Sequence, residues 1–474
     1  MDLLIGDLFH HAARAVPDRV AAVHRDESLT FGEIDRRSNQ VARALGDLGI
    51  RKGDRVIVRS ETDLRLVPLF AALAKMGAVF APLDPALSDL EVSDVLERAQ
   101  PTLVVSQSSS PGSVTLEEIS IRSSSKSSDE ISMDLRETDP HVIFFTSGST
   151  GRSKGVVLSH RTNALRAHPG GLLEPRGAVA CPYPLFHMGG WTIALQQWAA
   201  RDAVVFVQPD AAEICEAVEQ HHATRLNCIP AVWRRILEHI ATAAGSKHDL
   251  QSLRFADTGT SATPVELLDA IQTALPGAWV RVFYGSTETG SVTMLEDPDV
   301  QRKPGSCGTP APFVSVKVDE SGELWVRSPL LFDGYFNDAE ATARALVDGW
   351  FRTGDRADVD EDGFVSIVGR AGDLIRSGGE SVSPVEVETV LADHPAITDI
   401  AIVGIPDETW GEIVCAVIVP NGAPPTLEDL RAHCGTRLAR FKHPRRLAIV
   451  DRIPRTSPTD QIQRRLLVEM LTGA

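Results

Sequence analysis

Ten consecutive residues, Thr146-Ser147-Gly148-Ser149-Thr150-Gly151-Arg152-Ser153-Lys154-Gly155, are almost all Gly, Ser or Thr, with one lysine near the end. Glycines let a backbone turn tightly and approach a ligand closely. Successive N–H groups and hydroxyls then converge on one anion, and the Lys154 ammonium adds a full positive charge. That chemistry suits the phosphates of a nucleotide. The spacing Gly148-x-x-Gly151-x-x-Lys154-Gly155 is not the G-x-x-x-x-G-K-[ST] of P-loop NTPases, so that architecture is not implied. A plain Ser/Gly linker does not fit either. The stretch begins directly after an apolar run, His141-Val142-Ile143-Phe144-Phe145, and ends in another, Val156-Val157-Leu158.

Three further groups carry chemistry. Tyr284-Gly285-Ser286-Thr287-Glu288 follows an expected strand, Trp279–Phe283. Its ring can stack on a base, its hydroxyl can reach a phosphate, and its carboxylate can hold Mg²⁺. Thr353-Gly354-Asp355 places a carboxylate after a tight turn, where it suits the two hydroxyls of a ribose. His187 stands in Tyr183-Pro184-Leu185-Phe186-His187-Met188-Gly189-Gly190-Trp191 and by itself reads more often as a core or surface histidine than as a functional one. The doublet His221-His222 reads as a solvated helix end rather than a metal site.

The elements that must position these residues alternate. Residues 8–16 predict a helix. Thr30, with Glu33 three positions on, predicts a capped second one. Strand 55–58, helix 66–76, strand 79–82, helix 90–99 and strand 103–105 follow, and residues 203–240 repeat the alternation. Such order implies parallel βαβ units with helices over the sheet. The Ser-rich residues 106–129 predict an exposed, partly mobile loop. After Arg370 the composition changes to a smaller α+β tail: helix 384–393, strands 397–405 and 413–419, helix 427–438 and strand 447–450.

With 474 residues, more than one domain is expected. A net charge of −17 argues against a nucleic-acid or anionic-membrane surface. Six scattered cysteines without a C-x-x-C pair argue against zinc ribbons and disulfide scaffolds and suit a reducing cytoplasm. No signal peptide is expected at the start, and no apolar run reaches the ~20 residues of a membrane span.

Taken together, the motifs resemble the adenylate-forming superfamily, which includes acyl-CoA synthetases, the adenylation domains of peptide synthetases and luciferases. Most similar are the bacterial acyl-CoA synthetases. The resemblance implies an α/β fold: a large N-terminal domain (1–370) of βαβ-type sheets flanked by helices with a distorted β-barrel portion, and a mobile α+β domain (371–474). It assigns Thr146, Ser147, Gly148, Ser149, Thr150, Gly151 and Lys154 to the ATP phosphates, and Glu288 with Thr150 to Mg²⁺. Tyr284 and Gly285 go to the adenine, with Gly259 in Thr258-Gly259-Thr260-Ser261-Ala262 nearby. Thr287 goes to the α-phosphate, Asp355 and Arg370 to the ribose, and His187 to the acid's carboxylate, with Trp191 at the pocket floor. Gly372 is the implied pivot. Gly378, in Ser377-Gly378-Gly379-Glu380, belongs to a loop along the pantetheine tunnel of CoA.

One position departs from the family pattern P-R-T-x-T-G-K. The chain has Pro454-Arg455-Thr456-Ser457-Pro458-Thr459-Asp460-Gln461, with one residue inserted and Asp460-Gln461 in place of Gly-Lys. The missing lysine stands between two anions during adenylation, where a cation stabilises developing charge. Arg464 or Lys442 could substitute, the first half-reaction could be slow, or the chain could bind nucleotide without catalysis. The expected activity is that of a cytoplasmic ATP-, Mg²⁺- and CoA-dependent ligase making acyl-AMP and then acyl-CoA. The competing readings are delivery to an acyl carrier protein, with no carrier domain fused here, and a non-catalytic nucleotide-binding protein. Trp191 and the Cys228–Trp233 segment suggest a short apolar pocket.

Overall fold

The computed structural model describes the chain apart from residues 1, 110–111, 148–152, 169–175, 243–244, 262, 378–379, 408–409, 436, 457–459 and 474. Among the described residues the strands form four sheets. In the first, Val179–Cys181, Arg225–Cys228, Phe255–Gly259 and Trp279–Ser286 run parallel, and Gly290–Leu295 returns antiparallel at their edge. In the second, Pro140–Ser147 pairs antiparallel with Ser153–Ser159 and parallel with Val79–Leu83, beside Arg55–Arg59 and Leu103–Ser106. The expected alternation is thus realised.

The helix Leu66–Met76 is buried along its whole length. A helix apolar on every side must be covered on every side. Its one charge is met: the Lys75 ammonium donates to Asp35 at 2.6 Å, Ser38 at 2.8 Å and Asn39 at 2.9 Å. The helix Phe31–Asp47 begins with the expected capping box of Thr30 and Glu33.

Residues 106–129 are not a loop. They contain a strand, Ser113–Thr115, and a helix, Leu116–Ser124. Thr115 and Glu118 form a second capping box, and Leu116, Ile119 and Ser123 are buried on one face. The carbonyls of Lys126, Ser127 and Ser128 accept from Gln40, Arg43 and Asn39. Serine content concealed a local start signal and an i, i+3 apolar pair.

The portion expected as a distorted barrel is an antiparallel sheet of Ser315–Val318, Glu323–Arg327, Trp350–Val359, Leu346–Val347 and Val365–Arg370, whose strand path does not close among the described residues. At its entry Val314 N–H donates to the Ala311 carbonyl at 3.0 Å, closing a turn with Pro312 second and Phe313 third. Phe313 has φ +66° and is 87% exposed. A turn of this kind calls for glycine at its third position. Phe313→Gly is therefore expected to stabilise the protein by about 0.5–1 kcal/mol, measured as a higher urea midpoint at unchanged slope.

From residue 375 onward two apolar clusters draw only on residues 375–471. They pack the strands Ile397–Asp407 and Gly411–Pro420 between the helices Pro384–Leu391 and Leu427–Cys434 on one side and a further helix, Arg464–Thr472, on the other. That last helix was not expected from the sequence. Its buried Leu467 joins Ala401, Val403 and Ile405.

Two buried histidines sit beside the long buried helix. His141 and His160 stack with ring centroids 4.7 Å apart. Asn163 donates to His141 Nδ1, in its Nε2–H form, at 3.0 Å, and Ile5 N–H donates to His160 Nδ1 at 3.2 Å. Neither Nε2 has a partner among the described residues. Burial holds both pKa values below the usual histidine range, His160 at about 4. Unfolded, each titrates near ~6.5, so the unfolded chain binds more protons below that pH. The stabilisation is fully present above ~6.5 and is lost as pH falls towards about 4, a loss of about 3 kcal/mol for His160 alone. Urea midpoints at pH 7 and pH 5 are expected to show this fall, and His160→Gln should flatten it.

Candidate active site

Parallel strands present their carboxyl ends to a common crevice, where ligands of open α/β sheets bind. Here those ends carry Tyr183–His187 after Val179–Cys181, Gly259 at the end of its strand, and Tyr284–Glu288 at the edge. Tyr284 and Gly285 lie within the strand Trp279–Ser286, not in the turn read from the sequence. A Cβ at Gly285 would lie 2.1 Å from the Gly290 carbonyl, so no side chain fits. A Cβ at Gly259 would lie 2.5 Å from the Phe283 carbonyl.

Thr353-Gly354-Asp355 is also strand, inside Trp350–Val359, with Gly354 at φ +72°. The left-handed residue breaks the alternation and turns the Asp355 carboxylate towards Tyr284, whose hydroxyl donates to it at 2.7 Å. Arg370, last residue of the neighbouring strand, pairs with the other carboxylate oxygen at 3.2 Å. Burial raises the Asp355 pKa, against the Arg370 charge. Tyr284, Asp355 and Arg370, far apart in sequence, form one cluster.

The strands on either side of the Gly/Ser/Thr stretch, Pro140–Ser147 and Ser153–Ser159, are antiparallel neighbours. Gly148, Ser149, Thr150 and Gly151 lie outside the described residues, as does Gly378. Ser147 ends the first strand. Thr146 faces Lys154 across the ladder, its hydroxyl 3.5 Å from the Lys154 carbonyl. The Lys154 ammonium lies 4.8 Å from the ring centroid of Tyr335, whose hydroxyl donates to Glu288 at 3.1 Å.

Arg166 fixes the backbone under Glu288. It is 5% exposed and donates to the carbonyls of Thr287 at 3.0 Å, Glu288 at 3.1 Å and Leu330 at 2.8 Å. Burial lowers its pKa only to about 10, so it stays charged. Neither Arg166 nor Tyr335 was singled out in the sequence. A lone arginine on a helix and a tyrosine in Gly334-Tyr335 carry no local signal.

His187 caps the helix Met188–Ala199, its Nδ1 accepting from Gly189 N–H at 3.1 Å. Burial lowers its pKa to about 4, so the ring is neutral and its proton sits on Nε2. It presents a hydrogen-bond donor without a charge. Trp191 is no pocket floor: it stacks on Phe70 at 4.0 Å and donates to the Leu185 carbonyl at 2.6 Å inside the core. Trp233 is buried as well, donating to the Asp257 carbonyl at 2.9 Å. Both tryptophans offered in support of a short pocket, Trp191 and the last residue of the segment Cys228–Trp233, are thus core residues.

Gln461 faces this crevice from the small domain. Its amide nitrogen lies 3.4 Å from the carbonyl of Thr260, next to Gly259. The residue before it, Asp460, has φ +56°. Glycine is at ease in that left-handed geometry, which agrees with Asp460-Gln461 standing for Gly-Lys. The candidate substitute cations are engaged elsewhere. Arg464 forms a fork with both oxygens of Glu388 at 2.6 Å, and Lys442 pairs with Glu386.

A carboxylate backed by hydroxyls and awaiting phosphate oxygens is a hard oxygen donor set of the kind Mg²⁺ takes when it arrives with a nucleotide. Glu288 Oε2 has no hydrogen bond among the described residues, so the residues fit that ion.

Comparison with known proteins decides the family. The AMP-binding enzyme family matches residues 9–336, and its C-terminal domain matches residues 386–458. The chain belongs to this family of AMP-binding enzymes. A long-chain-fatty-acid–CoA ligase of Mycobacterium tuberculosis is 31% identical, with 99% of each chain covered. A feruloyl-CoA synthase of an Amycolatopsis species is 31% identical over 94% of each. The o-succinylbenzoate CoA synthetase of Bacillus subtilis, solved with its acyl-adenylate intermediate, superposes with a TM-score of 0.89 at 26% identity over 97% of each chain, and the same enzyme has been solved with ATP and a magnesium ion. Among the described residues no helix is long and apolar enough to cross a membrane.

Proposed function

We propose that this AMP-binding enzyme is an acid–CoA ligase. A carboxylate oxygen attacks the α-phosphorus of ATP, the bond to pyrophosphate breaks, and acyl-AMP forms. The thiolate of CoA then attacks the acyl carbon, and AMP leaves. The observations that carry this reading are that Tyr284 and Arg370 meet at Asp355 and that Glu288 and Lys154 meet across Tyr335, in a chain whose full-length relatives are CoA ligases. Those relatives favour free CoA over a carrier protein as acceptor and catalysis over mere nucleotide binding.

In this reading Tyr284 and Gly285 hold the adenine beside Gly259, Asp355 and Arg370 hold the ribose hydroxyls, and Thr146, Thr287, Lys154 and the loop 147–151 hold the phosphates. Glu288, with Thr150, holds Mg²⁺, which neutralises phosphate charge when bound. His187 offers its Nε2–H to the acid's carboxylate. A boundary at 370/371, with Gly372 as pivot, lets the small domain exchange Gln461 for the loop bearing Gly378, which lines the path of CoA.

The acid is read from turnover. Pyrophosphate release and thioester formation are measured with ATP, Mg²⁺ and CoA against aliphatic, aryl and aryl-propenoic acids of graded length. At least one acid is expected to give pyrophosphate and a CoA thioester in equal amounts. A protein that binds ATP yet releases no pyrophosphate with any acid would overturn the ligase reading.

A further inference from the structure

Among the described residues Tyr335 touches both Lys154, with its ring face, and Glu288, with its hydroxyl. Its backbone is pinned from three sides. Gly334–Tyr335 pairs antiparallel with Val156 and Val157, and Phe336 N–H donates to the Gly155 carbonyl at 2.7 Å. Tyr335 N–H donates to the Thr342 hydroxyl at 2.8 Å. Its ring packs against Phe332 at 4.8 Å between centroids. Phe332 N–H in turn donates to the Glu288 carbonyl at 2.7 Å, so the same short segment grips the backbone and the carboxylate of Glu288. The face of the ring lies under the Lys154 ammonium at 4.8 Å.

We propose that Tyr335 is a positioning residue that sets the Glu288 carboxylate and the Lys154 ammonium in fixed relation, so that a Mg²⁺–nucleotide meets both at once. The inference rests on the nucleotide-site reading above. The hydroxyl anchors Oε1 and leaves Oε2 directed to a metal. The ring gives Lys154 a resting place that keeps its charge away from that carboxylate, with which it would otherwise pair and close the site. A partner behind a metal ligand orients it, and its loss typically weakens metal binding on the order of 10–100-fold. Burial and the Glu288 charge push the Tyr335 pKa far above its ordinary value, so the hydroxyl stays a donor at any working pH.

Two substitutions separate the two contacts. Tyr335→Phe removes the hydroxyl and keeps the ring, and Tyr335→Leu removes both. ATP binding is measured by calorimetry with Mg²⁺ and with excess chelator, alongside thermal unfolding. Tyr335→Phe is expected to weaken Mg²⁺–ATP binding on the order of 10-fold while metal-free ATP binding stays within about twofold. Tyr335→Leu is expected to weaken metal-free ATP binding several-fold as well. If Tyr335→Phe matches the native protein in both titrations, or loses both equally, Tyr335 is only packing and the proposal falls. If the native protein itself binds no ATP, the nucleotide-site reading fails instead, a separate outcome.

Discussion

Replacing Gln461 with lysine is expected to raise pyrophosphate release about 10²-fold, while acyl transfer from preformed acyl-AMP to CoA stays unchanged. The first half-reaction brings a carboxylate against a phosphate, and a group aimed at the charge developing between them is worth roughly 10²–10³ in rate. The native amide can donate a hydrogen bond but brings no charge. The position itself is well formed. Thr456 N–H donates to the Gln461 carbonyl at 2.8 Å, Arg455 donates to the Asp460 carbonyl at 2.9 Å, and the side chain already extends to Thr260. A lysine there needs no rebuilding of its support. Neither candidate substitute supplies the charge among the described residues: Arg464 is held by Glu388 and lies 3.6 Å from Asp373, and Lys442 is held by Glu386. Freeing Arg464 by Glu388→Gln would not rescue the rate on this argument, since its guanidinium also donates to the Ile402 carbonyl at 3.2 Å and stays with the small-domain core. Equal pyrophosphate rates for native protein and Gln461→Lys would show that the chain does not depend on a cation at this position. A gain in both half-reactions would point to domain closure rather than charge.

The residues proposed to face the ligand stand out in the sequence where chemistry and chain continuity coincide. Lys154 after a run of small residues, and Thr287-Glu288 after a strand, announce themselves because a few adjacent residues supply donors, a charge and a turn. The helix Leu66–Met76 was legible to the residue because it is apolar on every side. What the sequence concealed is whatever depends on distant partners. Tyr335 matters through Lys154 and Glu288, 181 and 47 positions away, and nothing in Gly334-Tyr335 signals that. Trp191 was misread because an aromatic beside a candidate histidine fits a pocket as well as a core, and only its stacking on Phe70 distinguishes them. The helix Leu116–Ser124 was missed because serine-rich composition outweighed a Thr115-x-x-Glu118 cap that is stated plainly in the residues.

Arg166→Met is expected to lower stability by about 3 kcal/mol and to weaken Mg²⁺–ATP binding at least tenfold. The guanidinium is buried and serves three carbonyls from two segments, Thr287–Glu288 and Leu330. Its removal leaves the Thr287 and Leu330 carbonyls without this donor, at roughly 1–3 kcal/mol for each buried group left unmet, while Glu288 keeps its bond from Phe332 N–H. The binding loss follows from geometry rather than charge. Apart from Arg166, the turn from Ser286 to Gly290 is held at Glu288 by Phe332 N–H and the Tyr335 hydroxyl, and elsewhere by hydroxyl contacts such as Ser286 N–H to Thr289 at 2.9 Å. A Cβ at Gly290 would stand 2.9 Å from Arg166 Nε, so the turn is moulded closely around the arginine. Without that contact the turn carrying Thr287 and Glu288 can drift, which would misplace the carboxylate relative to the phosphates that the proposed function assigns to Lys154 and Thr146 on the other sheet. Arg166→Lys keeps the charge but not the fork, and should recover part of the stability and little of the binding, because one ammonium cannot span carbonyls on two segments. Urea unfolding and calorimetry on the two variants give both numbers. If Arg166→Met unfolds within 1 kcal/mol of the native protein and binds Mg²⁺–ATP equally well, the two segments are held together by their own packing, and Arg166 does not organise the site.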